Sequence, residues 1–587
     1  MRIPQFKSNY NKHPVITMKD CDPAWQGYSS IVEEIRRAGK GQANTKTLVV
    51  VECYPGTREK ELLEGLIYPL QPALVLHAEE AALDGQAITE KMRPYLTEDR
   101  VFGFLYPFLL HDFYVPGRIQ EMQGQIKAIQ EGIVVVYGFG ASLIADGDIL
   151  LYANLARWEI QQRFRSREIG NWKADNLSED LLKKYKRAFF LEWRMADRIK
   201  KGLYERIDYL LDTNTRDEPK MITGNSYREG LRQVTKQPFR LVPYFDPAVW
   251  GGQWMKEVCG LDRGAANYGW SFDGVPEENS LYLQYGQVKV EIPAIDVVLY
   301  QPVPLLGDAV YGRFGPEFPI RFDFLDTMNG QNLSLQVHPL TEYIQQTFGM
   351  HYTQDESYYM LEAGDDAVVY LGLKENADKQ EFMNDLRRAQ AGEISFPDEK
   401  YINRFPAKKH DHFLIPAGTI HCSGTNTMVL EISATPYIFT FKLWDWDRPG
   451  MDGKPRPVHI DHGEKVIQWD RTTKWVEENL LPGAEPVAQG DGWREERTGL
   501  HQREFIETRR CWITGMVNWH TNNNVNMLNM VEGEEAVVES PDNSFPPFII
   551  HYAETFIIPA AVGAYSIRPC GPSAGREIAV LKAYVRN

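Results

Sequence analysis

The stretch 332-NLSLQVHPL-340 places two polar side chains, Gln336 and His338, two positions apart in a short apolar run. Side chains two residues apart in an extended strand point to the same face of a sheet. Gln336 and His338 therefore share one face, and Leu335 and Val337 share the other. Such a pair is either a polar patch on a sheet surface or half of a metal site, and the rest of the chain has to decide between the two.

Length and composition limit the class of protein. A chain of 587 residues exceeds the roughly 250–300 residues at which a single core stops growing, so two or three domains are expected. The 80 acidic and 64 basic residues give a net charge of −16, which argues against nucleic acid or a membrane surface as a partner. No secretory signal or membrane-spanning run is predicted. The six cysteines form no CxxC pair, so a reducing cytoplasm is the expected compartment.

The segment 1–236 alternates strand-like and helix-like runs, which predicts an α/β domain. The run 47-TLVVVECYPG-56 is typical of a buried strand that ends in a turn, and a helical stretch follows it. This order resembles a kinase-like fold, but Pro55 and Gly56 lead into Thr57, Arg58 and Glu59 rather than GxxxxGK[ST]. The segment is therefore predicted to be remotely kinase-like without a phosphate-binding loop, and its function stays open.

From residue 237 onward, short β-rich pieces are separated by Gly and Pro, a pattern that predicts β-sandwiches or barrels. One helical insert is predicted near 377–393. The phrase 551-HYAETFIIPAAVGAYSI-567 echoes 410-HDHFLIPAGTIHCSG-424, which predicts two related barrels. Ala561 or a neighbour occupies the place of His421 in the second copy, so that copy is expected to hold no metal.

Two further residues extend the opening pair. His421 follows a strand and a Pro-Ala-Gly turn, and Glu356 begins another strand. Each residue alone is more often structural than functional. Together with Gln336 and His338, however, they provide two imidazoles and two oxygen ligands. This set suits zinc or another divalent first-row ion and leaves a coordination position open.

Five phrases of the C-terminal part occur in the order of a known family, the type I mannose-6-phosphate isomerases of the cupin fold, which the chain resembles from about 237 to 587. The phrases are 243-PYFDPAVWGGQWM-255, 323-DFLDTMNGQNLSLQVHP-339, 356-ESYYMLEA-363, 414-LIPAGTIHCSG-424 and 443-LWDWDRPGMDGKPRPVHI-460. The resemblance implies a double cupin of jelly-roll barrels, with a metal-binding domain at 237–484 and a metal-free domain at 485–587. It also implies one zinc ion per chain at Gln336, His338, Glu356 and His421.

The same resemblance implies an aldose–ketose isomerase whose partner is a small sugar or sugar phosphate. Glu431 is the candidate acid/base, and Lys442 is a second catalytic candidate. Lys374, Arg448 and Arg321 are candidates for substrate binding, although exposed cations are often merely solvated. The chain departs from the family at several basic positions, because Gln354 stands where the family has Lys and Asp323 replaces a basic residue.

Three hypotheses therefore compete. The favoured one is a metal-dependent isomerase that interconverts mannose 6-phosphate and fructose 6-phosphate, or a related sugar, in a rebuilt phosphate pocket. The second is an isomerase for an unphosphorylated sugar. Each basic residue that the chain lacks would remove a charge-assisted hydrogen bond to phosphate, and each such bond contributes roughly 1.5–3 kcal/mol to binding. The third is a sugar-binding or regulatory cupin without catalysis. The sequence leaves the choice of sugar and the oligomeric state undetermined.

Overall fold

The computed structural model describes residues 7–40, 45–435, 437–453, 455–481, 483–499 and 504–586. These residues form two compact units, each built from separate parts of the chain. The α/β unit consists of Val15–Val234 and Ser280–Tyr300. The barrel unit comprises the described residues of Met1–Pro14, Thr235–Asn279 and Gln301–Asn587.

The α/β unit is built on a seven-stranded sheet with helices between its strands. Strands and α-helices are numbered along the whole chain. Its strands are Val15–Thr17 (β1), Ala24–Gln26 (β2), Lys46–Cys53 (β3), Leu74–His77 (β4), Gly132–Gly138 (β5), Ile149–Asn154 (β6), Tyr209–Asp212 (β7), Lys220–Thr223 (β8), Ser280–Tyr285 (β11) and Val288–Pro293 (β12). Its helices are Tyr28–Lys40 (α1), Glu59–Leu62 (α2), Gly85–Leu96 (α3), Pro116–Ala128 (α4), Ala141–Ile144 (α5), Arg157–Arg165 (α6), Leu181–Arg187 (α7), Trp193–Leu203 (α8), Gly224–Val234 (α9) and Ile295–Tyr300 (α11).

The strands of this sheet lie in the order β2-β8-β7-β6-β3-β5-β4, and the five strands from β7 to β4 are parallel. The central strands are almost wholly apolar because both faces of a parallel sheet are covered. Val49, Val51, Val135 and Leu151 are accordingly buried in one core. The carboxyl ends of β3, β4 and β5 meet at one edge of the sheet, which is where ligands bind in folds of this kind.

The units cut across the predicted domain boundaries. The first unit boundary, between Val234 and Thr235, lies close to the predicted boundary after 236. However, Ser280–Tyr300 belongs to the α/β unit, whereas the sequence assigned these residues to the domain 237–484. The physical reason is strand pairing, since β11 pairs with β1 and with β12. A buried ion pair between Lys200 and Asp296, 2.5 Å apart, adds to it. The boundary between 484 and 485 stays a prediction.

The barrel unit contains four antiparallel sheets in the part of the chain that the structure describes. Its strands are Tyr244–Asp246 (β9), Trp270–Gly274 (β10), Arg321–Asp326 (β13), Leu335–Val337 (β14), Glu356–Ala363 (β15), Val368–Leu373 (β16), Ile402–Pro406 (β17), His412–Ile415 (β18), His421–Ser423 (β19), Thr427–Ser433 (β20), Phe441–Trp444 (β21), Glu485–Gly490 (β22), Trp493–Gly499 (β23), Ile506–Ile513 (β24), Val517–His520 (β25), Asn526–Glu532 (β26), Glu535–Glu539 (β27), Phe548–His551 (β28), Thr555–Ile558 (β29), Ala564–Pro569 (β30) and Ile578–Val585 (β31). Its helices are Trp254–Val258 (α10), Pro302–Leu306 (α12), Asp308–Phe314 (α13), Thr341–Phe348 (α14), Lys379–Gln390 (α15), Asp398–Tyr401 (α16), Ile460–Val466 (α17) and Thr473–Asn479 (α18).

Two of these sheets carry the predicted site residues. Their strand orders are β18-β15-β20-β13-β10-β9 and β17-β16-β19-β14-β21. The other two sheets, β22-β23-β24-β31-β26-β29 and β25-β30-β27-β28, share a core of apolar side chains that includes Leu528, Ile567 and Val580. The chain therefore contains many short antiparallel strands, as the spacing of Gly and Pro predicts.

Helix α15 lies between β16 and β17, within the stretch 377–393. Asp378 caps its first turn, because the carboxylate accepts the N–H of Glu381 at 2.8 Å. Phe382, Leu386 and Ala389 are buried, and their spacing places them on one face. No helix among the described residues is long and apolar enough to cross a membrane.

Candidate metal centre

Gln336 and His338 of the opening pattern come together with His421 at one sheet. Gln336 on β14 lies directly opposite His421 on β19, and the Nε2 atoms of the two side chains are 3.2 Å apart. His338 follows β14 immediately, so its side chain shares the face of Gln336. All three side chains are buried.

Glu356 approaches this group from the other sheet, where it begins β15. Its Oε2 atom lies 2.9 Å from Nε2 of His338, and its Oε1 atom lies 2.8 Å from Nε2 of His421. One ligand atom from each of the three residues lies within 4.8 Å of the others. The carboxylate thus presents a separate oxygen to each imidazole.

The outer nitrogens of the two imidazoles fix their orientation. Nδ1 of His338 lies 2.9 Å from the carbonyl oxygen of Phe439, and Nδ1 of His421 lies 2.9 Å from that of Thr419. A carbonyl can only accept, so each Nδ1 carries a proton and the Nε2 atom of each ring faces Glu356. This is the usual arrangement of histidines that bind a metal.

The inner atoms of the group are able to bind a cation. Nε2 of His338 and Oε1 of Glu356 are shielded from solvent and make no hydrogen bond of acceptable geometry, although nitrogen and oxygen approach to less than 3 Å. Burial lowers the pKa of His338, but the Glu356 carboxylate outweighs this effect and the net pKa is raised. Burial likewise raises the pKa of Glu356, yet the two imidazoles hold it well below its usual value. The residues present therefore fit a divalent ion.

The amide of Gln336 is the one ligand whose orientation differs from that of a metal site. Its nitrogen faces His421, whereas a metal would take the amide oxygen. Rotation of the terminal amide by about 180° would exchange the two atoms without moving the backbone.

Glu431 extends the polar group on the face of β20 that points towards Glu356. It pairs with Tyr358 on β15 and with Asp323 on β13. Burial, followed by the carboxylates of Glu356 and Asp323, raises the pKa of Glu431 well above its usual value. The sequence names Glu431 as the candidate acid/base, and this catalytic role stays a prediction.

The four predicted cations are in different environments. Arg321 is buried and binds Asp323 at 2.6 Å, while Lys442 lies opposite Gln336 on β21. Arg448 binds Asp445 at 2.7 Å. Lys374 is exposed, and its ammonium donates to the backbone carbonyl of Glu399. Of the four, Lys442 is paired with Gln336, and Arg321 binds Asp323, which is paired with Glu431. The roles of all four cations stay predictions.

Two residues of the centre were not recognised as functional from the sequence. The amide of Gln354 donates to Oε2 of Glu356 at 3.0 Å and lies 3.5 Å from Oε1 of Glu431. The hydroxyl group of Tyr358 is buried and faces Glu356. Tyr358 shares a strand face with Glu356 because it lies two residues further along β15, and Gln354 lies two residues before β15 begins. That spacing was the available signal.

Comparisons with known proteins agree with the resemblance. Residues 27–236 match a family model described as a domain of unknown function, DUF8485. The "Probable mannose-6-phosphate isomerase GmuF" of Bacillus subtilis is 23% identical over 332 residues, covering 56% of this chain and 96% of that protein. The mannose-6-phosphate isomerase of Streptococcus mutans is 26% identical over 242 residues, covering 39% of this chain and 68% of that protein.

Among solved structures, the mannose 6-phosphate isomerase of Bacillus subtilis is similar to this chain, with 18% identity and a TM-score of 0.49. The alignment covers 59% of this chain and 99% of that one. A mutant phosphomannose isomerase of Salmonella typhimurium has 15% identity and a TM-score of 0.47, with coverages of 60% and 100%. The curated relatives confirm, at modest identity, that the chain is similar to mannose-6-phosphate isomerases.

Proposed function

We propose that the barrel unit is a metal-dependent aldose–ketose isomerase that acts on mannose 6-phosphate or a related sugar. The observation that carries the proposal is the convergence of two Nε2 atoms on the two oxygens of Glu356, beside the buried carboxyl of Glu431. The curated relatives support the same activity, because mannose-6-phosphate isomerase is the name that they carry.

His338, His421, Glu356 and Gln336 would hold the metal, and the mixture of imidazole and oxygen donors favours zinc. A bound divalent ion supplies polarisation of the sugar's carbonyl and hydroxyl oxygens. Gln336, Glu356 and His421 lie on strands of two sheets, and His338 follows β14 immediately, so the strand backbone holds the ligands in place. Burial of all four excludes competing water.

Glu431 is the proposed acid/base. Isomerisation moves a proton between C2 and C1 of the open-chain sugar through an enediol, so one group takes the proton from one carbon and returns it to the other. A raised pKa suits this task, because it makes the carboxylate a stronger base once it is deprotonated. Gln354 positions Glu431 and Glu356 through its amide, and Lys442 is the cation proposed to contact a substrate oxygen.

A second candidate, an isomerase for an unphosphorylated sugar, is favoured by the state of the cations. Arg321 and Arg448 are each bound to a carboxylate, and Lys374 is bound to a carbonyl. A phosphate would have to compete with these contacts. The third candidate, a sugar-binding protein without catalysis, requires only the metal and the surrounding polar groups. We expect the cytoplasm as the compartment, in line with the six free cysteines.

Exchange of the C2 proton tests the proposal. Metal-loaded protein is incubated in D2O with mannose 6-phosphate or with mannose, and deuterium incorporation is followed by NMR. Glu431→Gln should reduce the exchange rate by about 100-fold or more with metal content unchanged, whereas the exposed Glu399→Gln should match the wild type. Absence of exchange with every aldose tried, in protein that holds its metal, would leave the sugar-binding hypothesis.

A further inference from the structure

The α/β unit contains a second group of side chains that could hold a metal ion, formed by Glu59, His77 and Glu79. Nε2 of His77 lies 3.1 Å from Oε2 of Glu59. One ligand atom from each of the three residues lies within 4.8 Å of the others. We propose that these three residues bind a divalent first-row transition-metal ion, at a site separate from the one in the barrel unit.

The position of the group in the fold favours a ligand. Glu59 follows β3, His77 ends β4, and Glu79 follows it, so all three lie at the carboxyl edge of the parallel sheet. Strand β5 lies between β3 and β4, and the two loops meet above its end. Ligands of open α/β sheets bind outside the carboxyl ends of the strands.

The end of β5 is shaped to let the group approach. Gly138 has φ +109°, and a Cβ atom there would lie 2.8 Å from Cδ2 of His77 and 3.7 Å from Oε1 of Glu59. A side chain at this position would therefore displace the group. Tyr137 stacks on the imidazole of His77, with ring centroids 4.7 Å apart and planes at 13°, which holds Nε2 towards the two carboxylates.

The same atomic signature marks both candidate metal sites. Nε2 of His77 is shielded from solvent and makes no hydrogen bond of acceptable geometry, despite its short distance from Glu59. His338 and Glu356 show the same combination in the barrel unit. A nitrogen and an oxygen that lie close together without an aligned hydrogen bond could both act as ligands of one ion.

Trp172 provides an independent observation. Its side chain is only 7% exposed, and its indole N–H is directed at the carboxylate of Glu79 without completing a hydrogen bond of acceptable geometry. A buried donor beside a metal-binding carboxylate orients that carboxylate. The ammonium of Lys173 donates to the backbone carbonyl of Glu79 at 2.8 Å, which fixes the loop that carries the ligand.

The ligand set indicates the class of ion. One imidazole and two carboxylates suit zinc, manganese or iron better than copper(I), which prefers sulfur. Three protein ligands leave at least one coordination position for water or for a bound molecule. The ion would therefore be held at the sheet edge with an open side, as in a site that binds or activates a small ligand.

Metal binding to the full chain tests this proposal, with Co²⁺ as the probe. The double variant His338→Ala/His421→Ala removes the barrel ligands and serves as the background. We expect this background to bind about one Co²⁺ per chain with a visible d–d spectrum, and His77→Ala in the same background to lose both. His111→Ala is the matched control, because His111 is exposed in the same unit.

Two outcomes would overturn the proposal: a background variant that binds no Co²⁺, or a His77→Ala variant that binds as much as its parent. If the background variant does not fold, the wild type and His77→Ala are compared directly, and a loss of one equivalent of zinc by elemental analysis is expected. Glu59→Gln, a conservative change, should lose the same equivalent. None of these measurements depends on isomerase activity. They therefore test the site in the α/β unit even if the barrel unit proves not to be an isomerase.

Discussion

Gln336 and His421 face each other across two neighbouring strands of the barrel unit, with their Nε2 atoms 3.2 Å apart. This pairing joins the opening sequence pattern to a histidine 85 residues further along the chain. It also sets the point at which Glu356 meets the group from the opposite sheet.

His421→Ala should lower the bound metal by about one equivalent per chain, because it removes one of two imidazole ligands and leaves Glu356 with a single histidine partner. Elemental analysis of protein dialysed against metal-free buffer measures the change. His351→Ala is the matched control, since His351 is exposed. Equal metal content in His421→Ala and the wild type would contradict the assignment.

Lys442→Ala should reduce the preference for mannose 6-phosphate over mannose, whereas Lys374→Ala should not. Lys442 lies opposite Gln336, while Lys374 is exposed and held by Glu399. One charge-assisted contact contributes roughly 1.5–3 kcal/mol, so we expect the ratio of the two kcat/KM values to fall by about 10-fold or more. An enzyme for an unphosphorylated sugar would show no preference to lose.

Gln354→Lys should move the acidic limb of the pH profile of kcat/KM to lower pH. The new ammonium would lie beside Glu356 and Glu431, and a nearby positive charge favours the ionised carboxylate, which lowers the pKa of Glu431. Gln354→Met, which removes the amide without adding charge, is the control and should not move the limb to lower pH. A limb that stays in place in both variants would argue against Glu431 as the base.

Arg240→Met should destabilise the protein by about 3–5 kcal/mol, the usual cost of leaving a buried charge unpaired. Arg240 is buried between Glu554 at 2.5 Å and Asp273 at 3.5 Å. Arg494→Met breaks a half-exposed pair with Glu577 and should cost about 0–1 kcal/mol. Denaturant unfolding of the two variants measures the difference, and similar costs would contradict it.

Glu168→Gln should destabilise the protein at pH 7 by about 1–2 kcal/mol, allowing for solvent screening, and by much less near pH 2. Hydrogen bonds from Arg58 and Arg216 lower the pKa of Glu168 to about 2. A carboxyl group whose pKa is lower in the folded state stabilises the folded protein at pH values above its pKa in the unfolded state. This contribution of Glu168 is lost as the pH falls through about 2. Unfolding curves of the variant and wild type should therefore converge in acid, whereas those of the exposed Glu98→Gln should coincide at every pH.

Much of the centre could be predicted from local sequence. The two-residue spacing of Gln336 and His338 places them on one strand face, whatever the strand pairs with. The apolar run that becomes β3 predicts a strand buried on both faces. Each of these properties depends on the geometry of a single element, so a short stretch of sequence is sufficient to predict it.

Other features depend on contacts between distant parts of the chain. The ion pair of Arg321 with Asp323 lies on one strand, yet its place opposite Glu431 depends on the register of β13 with β20. The hairpin β11-β12 belongs to the α/β unit because β1 pairs with β11 and because Glu291 on β12 donates its N–H to the carboxylate of Asp212 on β7.

Glu59 and His77 form no recognisable motif in the sequence. They come together above the end of β5, which lies between β3 and β4 and ends in Gly138, where the missing side chain leaves room for them. Local periodicity determines which face a side chain occupies. Only cooperative burial and strand pairing across the whole chain determine what that face meets, and they alone decided the surroundings of the ligands and the composition of the two units.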